Sequence, residues 1–269
     1  MIDLKYPVLL VHGAWFRDTD FFGYWGRIPK ALEKAGCKVY LSNTDGNASV
    51  EDNGKSLCRR ITGIIKESGA EKLNVIAFSK GGLDIRYAVS SLGMDRYIAS
   101  ISTISTPHNG SYTMDILLKK YPFLLCLGAA LSDLFLIIVG DEKPDGFKLC
   151  WQFTTDGAKK FNRENPDKDG VYYQSFAFVF KKPYSDPLMF PFYNYIKRIE
   201  GDNDGLVTPR NARHGNFRGV YKSASDRGIS HIDEIDFRRR PLSHKKKKGI
   251  YDITRFYLAL VRDLQKRGF

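Results

Sequence analysis

Residues 73–92 read LNVIAFSKGGLDIRYAVSSL, an apolar run that passes through a single serine into a helix-forming stretch. Leu73 to Phe78 has the character of a strand buried on both faces of a parallel sheet, and a helix is expected from just beyond Ser79 to about Leu92. The turn between them carries small residues at Ala77 and Gly81, two positions before and two after Ser79. Such a turn forces the serine into a strained backbone conformation, and its neighbours must be small for strand and helix to cross closely behind it. Ala77 stands where a glycine is usual. Without its surroundings the string is a weak sign, because serine at a strand-to-helix turn often serves only as an N-cap.

The rest of the chain repeats this alternation. Tyr6 to Val11 is a buried strand ending at His12-Gly13, Trp25 to Ala35 a helix stopped by Gly36, and Lys38 to Leu41 a short strand. Glu51 to Ser68 places Leu57, Ile61, Ile64 and Ile65 at helical spacing, and Ile98 to Ser105 reads as the next strand. Strand and helix in turn predict an α/β fold with a mostly parallel sheet. From Tyr112 to Cys150 the rhythm breaks into helical patterns without a strand, as an insertion would. It resumes with a helix at Gly157 to Asn165, strands at Tyr172 to Phe180 and Tyr193 to Ile199, and a final helix at Tyr251 to Lys266.

A 269-residue chain with 43% hydrophobic and 13% aromatic residues can bury a large core, which excludes disorder, collagen and coiled coil. A single domain spanning 1–269 is expected. The 42 Lys plus Arg outnumber 30 Asp plus Glu, a net charge of +12, and seven of these cations lie in Arg238–Arg240 and Lys245–Lys248. Such a block reads first as a solvated loop and second as a surface drawn to anionic lipid headgroups. No aromatic residue interrupts it and no nucleic-acid signature occurs elsewhere, so no nucleic-acid partner is expected. Cys37, Cys58, Cys126 and Cys150 form no C-x-x-C pair. The start of the chain lacks a secretory signal pattern, which fits a cytoplasmic protein or a secreted one with its signal removed. Phe123 to Gly140, interrupted by Gly128 and Asp133, is too short and broken for a transmembrane segment to be expected.

Serine is a poor nucleophile at neutral pH and needs a base to take its proton and an acid to orient that base. With Ser79 at a nucleophile elbow, those partners are sought downstream in the order acid, then histidine. The polar turn Glu200-Gly201-Asp202-Asn203-Asp204-Gly205 offers Asp204, with Asp202 as an alternative and plain Asx turns as the structural reading. His231, between the last strand and the final helix, is the expected base. His214 and His244 sit in basic loops and are expected at the surface, and His12 and His108 are expected to shape turns. An oxyanion at the substrate would face the backbone N–H groups of Lys80, at the start of a helix, and Ala14, after the first strand.

The strings PVLLVHG (7–13), AFSKGGLDIRY (77–87), STPHNGS (105–111), NDGLV (203–207) and HIDEI (231–235) resemble those of bacterial triacylglycerol lipases, in the same order and over most of the chain. FFGYWG (21–26) and Gly157 to Phe178 are similar to the bacillary and staphylococcal members, which are longer. The resemblance implies an α/β-hydrolase fold, with helices on both faces of the sheet, and hydrolysis of fatty-acyl esters or triglycerides at a lipid–water interface without a cofactor for the chemistry. It implies Ser79, Asp204 and His231 as the triad and the amides of Ala14 and Lys80 as the oxyanion hole. It also implies a helical lid, for which about 111–150 is the candidate because its apolar residues exceed one core-facing stripe. Relatives hold a structural calcium through an acidic side chain two residues after the histidine, which Asp233 matches, with Asp186 as a conceivable partner. The following loop, Asp236 to Arg240, is basic where the bacillary members place a second carboxylate. The zinc-binding insertion of the bacillary lipases has no counterpart between Gly46 and Leu73. A short-chain esterase or acyltransferase with the same triad is the alternative activity, and a non-catalytic lipid-binding protein the alternative of another class.

Overall fold

The computed structural model describes residues 1–18, 23–182, 184, 186–243 and 249–269. Phe21 and Phe22 of the FFGYWG string, His244 and the run Lys245 to Lys248 therefore lie outside the described residues. Six strands form one sheet: β1 (Val8–Val11), β2 (Val39–Leu41), β3 (Leu73–Phe78), β4 (Ile98–Ile104), β5 (Tyr172–Phe178) and β6 (Asn216–Tyr221), in the order β2-β1-β3-β4-β5-β6 and parallel throughout. Nine α-helices accompany it among the described residues: α1 (Ile28–Lys34), α2 (Val50–Ser68), α3 (Gly81–Ser91), α4 (Tyr112–Lys120), α5 (Pro122–Ile138), α6 (Gly146–Gln152), α7 (Thr155–Glu164), α8 (Phe190–Ile199) and α9 (Ile253–Lys266).

The central strands are apolar at successive positions because both faces of the sheet are covered. Val8, Leu10, Ile76, Phe78, Ile104, Phe176 and Phe178 pack on one face against Trp25, α1 and α9, which contributes Phe256, Tyr257, Leu260 and Leu264. Leu9, Val11, Val75, Ala77 and Ile101 point the other way, onto Leu57, Ile61 and Ile64 of α2 and Ile85, Ala88 and Val89 of α3. Helix α2 begins where Ser49 Oγ accepts from the Asp52 amide and stops at Gly69, whose φ of 70° suits the left-handed C-terminal position.

The segment expected as a strand at Tyr193 to Ile199 is instead α8. The buried side chains Met189, Tyr193 and Ile196 recur every three or four residues, which is the period of a helix. Pro191 lies in the first turn, where its missing N–H costs nothing. The last strand is β6, which has half-exposed residues throughout and so lacks the apolar run that marks the central strands.

From residue 112 to 152 the chain forms α4, α5 and α6, outside the sheet. In α5 only Leu136 is buried, whereas Phe123, Leu124, Leu127, Leu131, Leu134, Phe135, Ile137 and Ile138 are exposed. Among the described residues no single helix is long and apolar enough to cross a membrane; α4 and α5 pass such a test only together, across a bend of 104°. Polar contacts tie the far end of this segment to the body. The Asp141 carboxylate accepts from the Gly46 and Asn47 amides at 3.0 Å each, and Asp133 accepts from Asn47 Nδ2 at 3.1 Å and the Gly146 amide at 2.8 Å. At the near end Glu200 accepts from Ser111 Oγ and the Thr113 amide, both at 2.8 Å.

The crossing of α3 over β1 leaves no room at residue 81, where an added Cβ would lie 2.3 Å from the His12 carbonyl oxygen and 2.7 Å from that of Val11. Both obstacles are backbone atoms that cannot rotate aside. Gly81→Ala is therefore expected to destabilise the fold by roughly 2–4 kcal/mol through overpacking, measured by urea unfolding; an unchanged midpoint would contradict so tight a crossing.

Candidate active site

β3 ends at Phe78, and the chain turns at Ser79, whose φ is 51°, into α3. A left-handed serine is costly and persists only where its surroundings fix it. Here the Ser79 amide donates to the Ile104 carbonyl at 2.9 Å, and the Ser79 carbonyl accepts from Thr106 Oγ1 at 2.7 Å. Gly13 passes so close that a Cβ there would meet Ser79 Cβ at 2.9 Å, and its amide donates to the Tyr24 hydroxyl at 2.9 Å. Ala14 follows directly, and Lys80 stands at the N-terminal end of α3.

Ser79 Oγ lies 3.0 Å from His231 Nε2, and His231 Nδ1 lies 2.8 Å from Asp204 Oδ2. The two loops are also joined through the backbone, where the His231 amide donates to the Asp204 carbonyl at 2.8 Å. The other carboxylate oxygen of Asp204 accepts from the Leu206 and Val207 amides at 2.8 Å each. Asp204 is fully buried, which works to raise its pKa, but the attraction and hydrogen bond of His231 and the two amides prevail and hold it below its ordinary value. The Phe78 and His231 ring centroids are 4.5 Å apart, with their planes tilted by 39°. The chain thus brings together a serine hydroxyl, an imidazole and an ionised carboxylate in a line along which a proton can leave the serine.

The alternative acid, Asp202, is exposed and pairs with Lys197, away from this line. His12 is buried with Nε2 2.9 Å from Thr44 Oγ1, and His108 is buried with Nε2 2.9 Å from Thr103 Oγ1. Neither ring belongs to the Ser79–His231–Asp204 line. His214 is not a plain surface residue: its ring stacks on His108 at 4.5 Å and its Nε2 lies 2.8 Å from Asp167. The four cysteines are free.

Two further buried ionisable side chains near the site, those of Lys80 and Glu234, have no role in the sequence reading. Lys80 is fully buried, and its Nζ lies 2.7 and 2.9 Å from the two oxygens of Asp84, one turn along α3. That i, i+4 spacing was present in the sequence as the only local sign of the pair. Glu234 is also fully buried, with Ser105 beside it and the Asp204 carboxylate within 4.8 Å. Burial, and next the negative charge of Asp204, push its pKa well above the ordinary value, so the side chain stays protonated.

No family model matches the chain. Triacylglycerol lipase 2 of Saccharomyces cerevisiae is 29% identical over 260 residues, covering 91% of this chain and 74% of the yeast protein. A triacylglycerol lipase of Pseudomonas fragi is 28% identical over 272 residues, covering 89% of this chain and 90% of that protein. Three other bacterial triacylglycerol lipases are 31–37% identical over shorter segments, and against them the chain spans about half the relative's length, 48–55%. The crystal structure of Staphylococcus hyicus lipase superposes with a TM-score of 0.72 at 18% identity, over 98% of this chain and 97% of that one.

The raised pKa of Glu234 has a consequence for stability. Below about pH 4 the carboxyl is protonated in both the folded and unfolded states; above it the unfolded state ionises and the buried group does not, so stability falls by up to about 1.4 kcal/mol per pH unit until the folded group ionises as well. Glu234→Gln removes that slope. Above about pH 5, and until the folded group ionises, the variant should gain on the wild type in urea unfolding, and parallel pH profiles would contradict the assignment. Taken together, the parallel sheet, the left-handed serine turn and the Ser79–His231–Asp204 line give this chain an α/β-hydrolase fold, and its sequence is similar to those of triacylglycerol lipases.

Proposed function

We propose that the protein hydrolyses fatty-acyl esters, triacylglycerols among them, through an acyl-enzyme on Ser79. The observation that carries this reading is the continuous hydrogen-bonded line from Ser79 Oγ through His231 to Asp204, at 3.0 and 2.8 Å. His231 takes the serine proton as Oγ attacks the ester carbonyl and returns it to the alcohol as the carbon–oxygen bond breaks. Water then enters, gives its proton to His231 and attacks the acyl carbon, and Ser79 leaves with that proton restored. Asp204 keeps the imidazole in the tautomer that presents Nε2 to the serine and stabilises the imidazolium that forms twice per turnover. The amides of Ala14 and Lys80 stabilise the oxyanion of both tetrahedral intermediates, a contribution of about 3 kcal/mol for each donor.

The long-chain reading is favoured over a short-chain esterase by α5, whose exposed Phe and Leu residues form an apolar surface beside a soluble body. We assign residues 111–150 as a lid that covers the serine in water and turns its apolar side toward a lipid–water interface. No cofactor takes part in the chemistry.

Ser79→Ala is expected to lower kcat/KM for p-nitrophenyl esters by more than about 10³-fold and to abolish labelling by a fluorophosphonate. Asp204→Asn should lower kcat by about 10²–10⁴-fold with little change in KM, because it fixes the wrong imidazole tautomer. Retained turnover or labelling in Ser79→Ala would overturn the proposal. Chain-length profiling separates the two activities: sustained turnover of emulsified long-chain triglyceride supports a lipase, and restriction to soluble butyrate esters an esterase.

A further inference from the structure

The loop that carries His231 is held by two buried carboxylates. Asp186, on the segment leading into α8, and Asp233, two residues beyond His231, are 0% and 3% exposed. Moving two carboxylates out of water is costly unless they keep their protons or a cation pairs with them, and here a cation stands between them. The resemblance to lipases leads one to expect a calcium ion in contact with Asp233. The oxygens that such an ion needs are already engaged. Arg238 reaches both acids, with Nη2 2.8 Å from Asp186 Oδ2 and Nη1 3.1 Å from Asp233 Oδ1. Arg227 pairs with Asp233 Oδ2, which also accepts from the Ser230 amide at 3.2 Å. The Ser230 hydroxyl donates to Asp186, and the Met189 amide to its other oxygen at 3.3 Å. Two guanidiniums neutralise the two carboxylates and leave no excess negative charge to attract a divalent ion. The residues present do not fit calcium.

We propose that Arg238 is the resident cation of this carboxylate pair, standing where a metal would otherwise hold the histidine loop to the segment before α8. Its planar fork matches the geometry, since one guanidinium nitrogen serves each acid. Arg227 completes the neutralisation on the side of Asp233. The chain thereby carries its cation covalently, and the position of His231 does not depend on metal supply or chelation.

Thermal unfolding and calcium calorimetry of the full chain test this without reference to its activity. The wild type should have the same Tm in EDTA and in millimolar calcium and should show no calcium binding at the pair. Arg238→Met, which keeps the bulk and removes the charge, should unfold about 5 °C or more lower in EDTA. Because Asp186 then loses the Arg238 guanidinium while Asp233 keeps Arg227, one carboxylate charge is left uncompensated beside the Ser230 hydroxyl, and calcium should raise the Tm of the variant but not of the wild type. Asp186→Asn in the Arg238→Met background should recover part of the lost Tm by removing one charge. If Arg238→Met aggregates, Arg238→Lys serves as the second variant, expected to unfold below the wild type and, because it keeps a charge, to ignore calcium. Stoichiometric calcium binding by the wild type, a fall of its Tm in EDTA, an unchanged Tm in Arg238→Met, or a calcium response absent from that variant would each overturn the proposal.

Discussion

The close crossing of α3 over the end of β1 is the constraint on which the rest depends. Gly81 sits where any side chain would strike the His12 and Val11 carbonyls, and Gly13 sits where any side chain would strike Ser79. These two absences of a Cβ let a strand and a helix meet tightly enough to hold Ser79 at a φ of 51°. The same geometry sets the serine at the end of a central strand with its hydroxyl toward the loops that follow β5 and β6, which is where His231 arrives. A sheet of parallel strands collects its connecting loops at the strand ends, so residues far apart in sequence meet there. Ser79 and His231 are separated by 152 positions and still share a hydrogen bond.

Charge is distributed around this crossing in pairs. Lys80 and Asp84 neutralise one another beneath the elbow, and Arg27 joins the histidine loop to α9 by bonding Asp236 and Asp252 at 2.7 and 3.0 Å. Arg238 and Arg227 serve Asp186 and Asp233 on the other side of the same loop. A buried ion pair adds little net stability compared with an apolar pair, but removing one partner is severe, so such pairs act mainly to fix one arrangement. The loop that bears His231 is fastened in this way at Asp233 and at Asp236. Glu234 lies between them without a cation and survives burial by keeping its proton. The imidazole is therefore placed by a loop whose neighbours are electrostatically determined, while the group that could compete with Asp204 for it is neutral.

Much of this was legible before the structure, and what was missed has a physical cause. The inner strands could be read because both their faces are covered, which makes every residue apolar, and α2 could be read because one face alone is covered. β6 escaped because it lies at the sheet edge with neither face fully buried, so its sequence carries no such pattern. α8 looks like a strand over Tyr193 to Ile199 taken alone, and its helical period shows only when Met189 is counted with Tyr193 and Ile196. At the site, Ser79, Asp204 and His231 were singled out from turn chemistry and chain order, and the structure brings these three side chains within hydrogen-bonding distance. The protonation of Glu234 could not be foreseen, since it depends on burial and on the distance to Asp204, neither of which has a sequence signature.

The basic block after His231 shows the same limit in its most instructive form. As a string, Arg238 to Arg240 looks like one solvated patch, each cation equivalent to the next. In the fold they part company. Arg238 turns inward to two buried acids, Arg239 has its guanidinium 2.9 Å from where a Cβ on Gly23 would stand, and Arg240 is exposed. The block's seven cations thus overstate what it offers to an anionic surface, because Arg238 is committed to two buried acids. Sequence counts cations. Whether a cation serves a partner or its own chain is decided by which carboxylates the fold has buried beside it, and here the histidine loop has drawn at least one of the block into its own support.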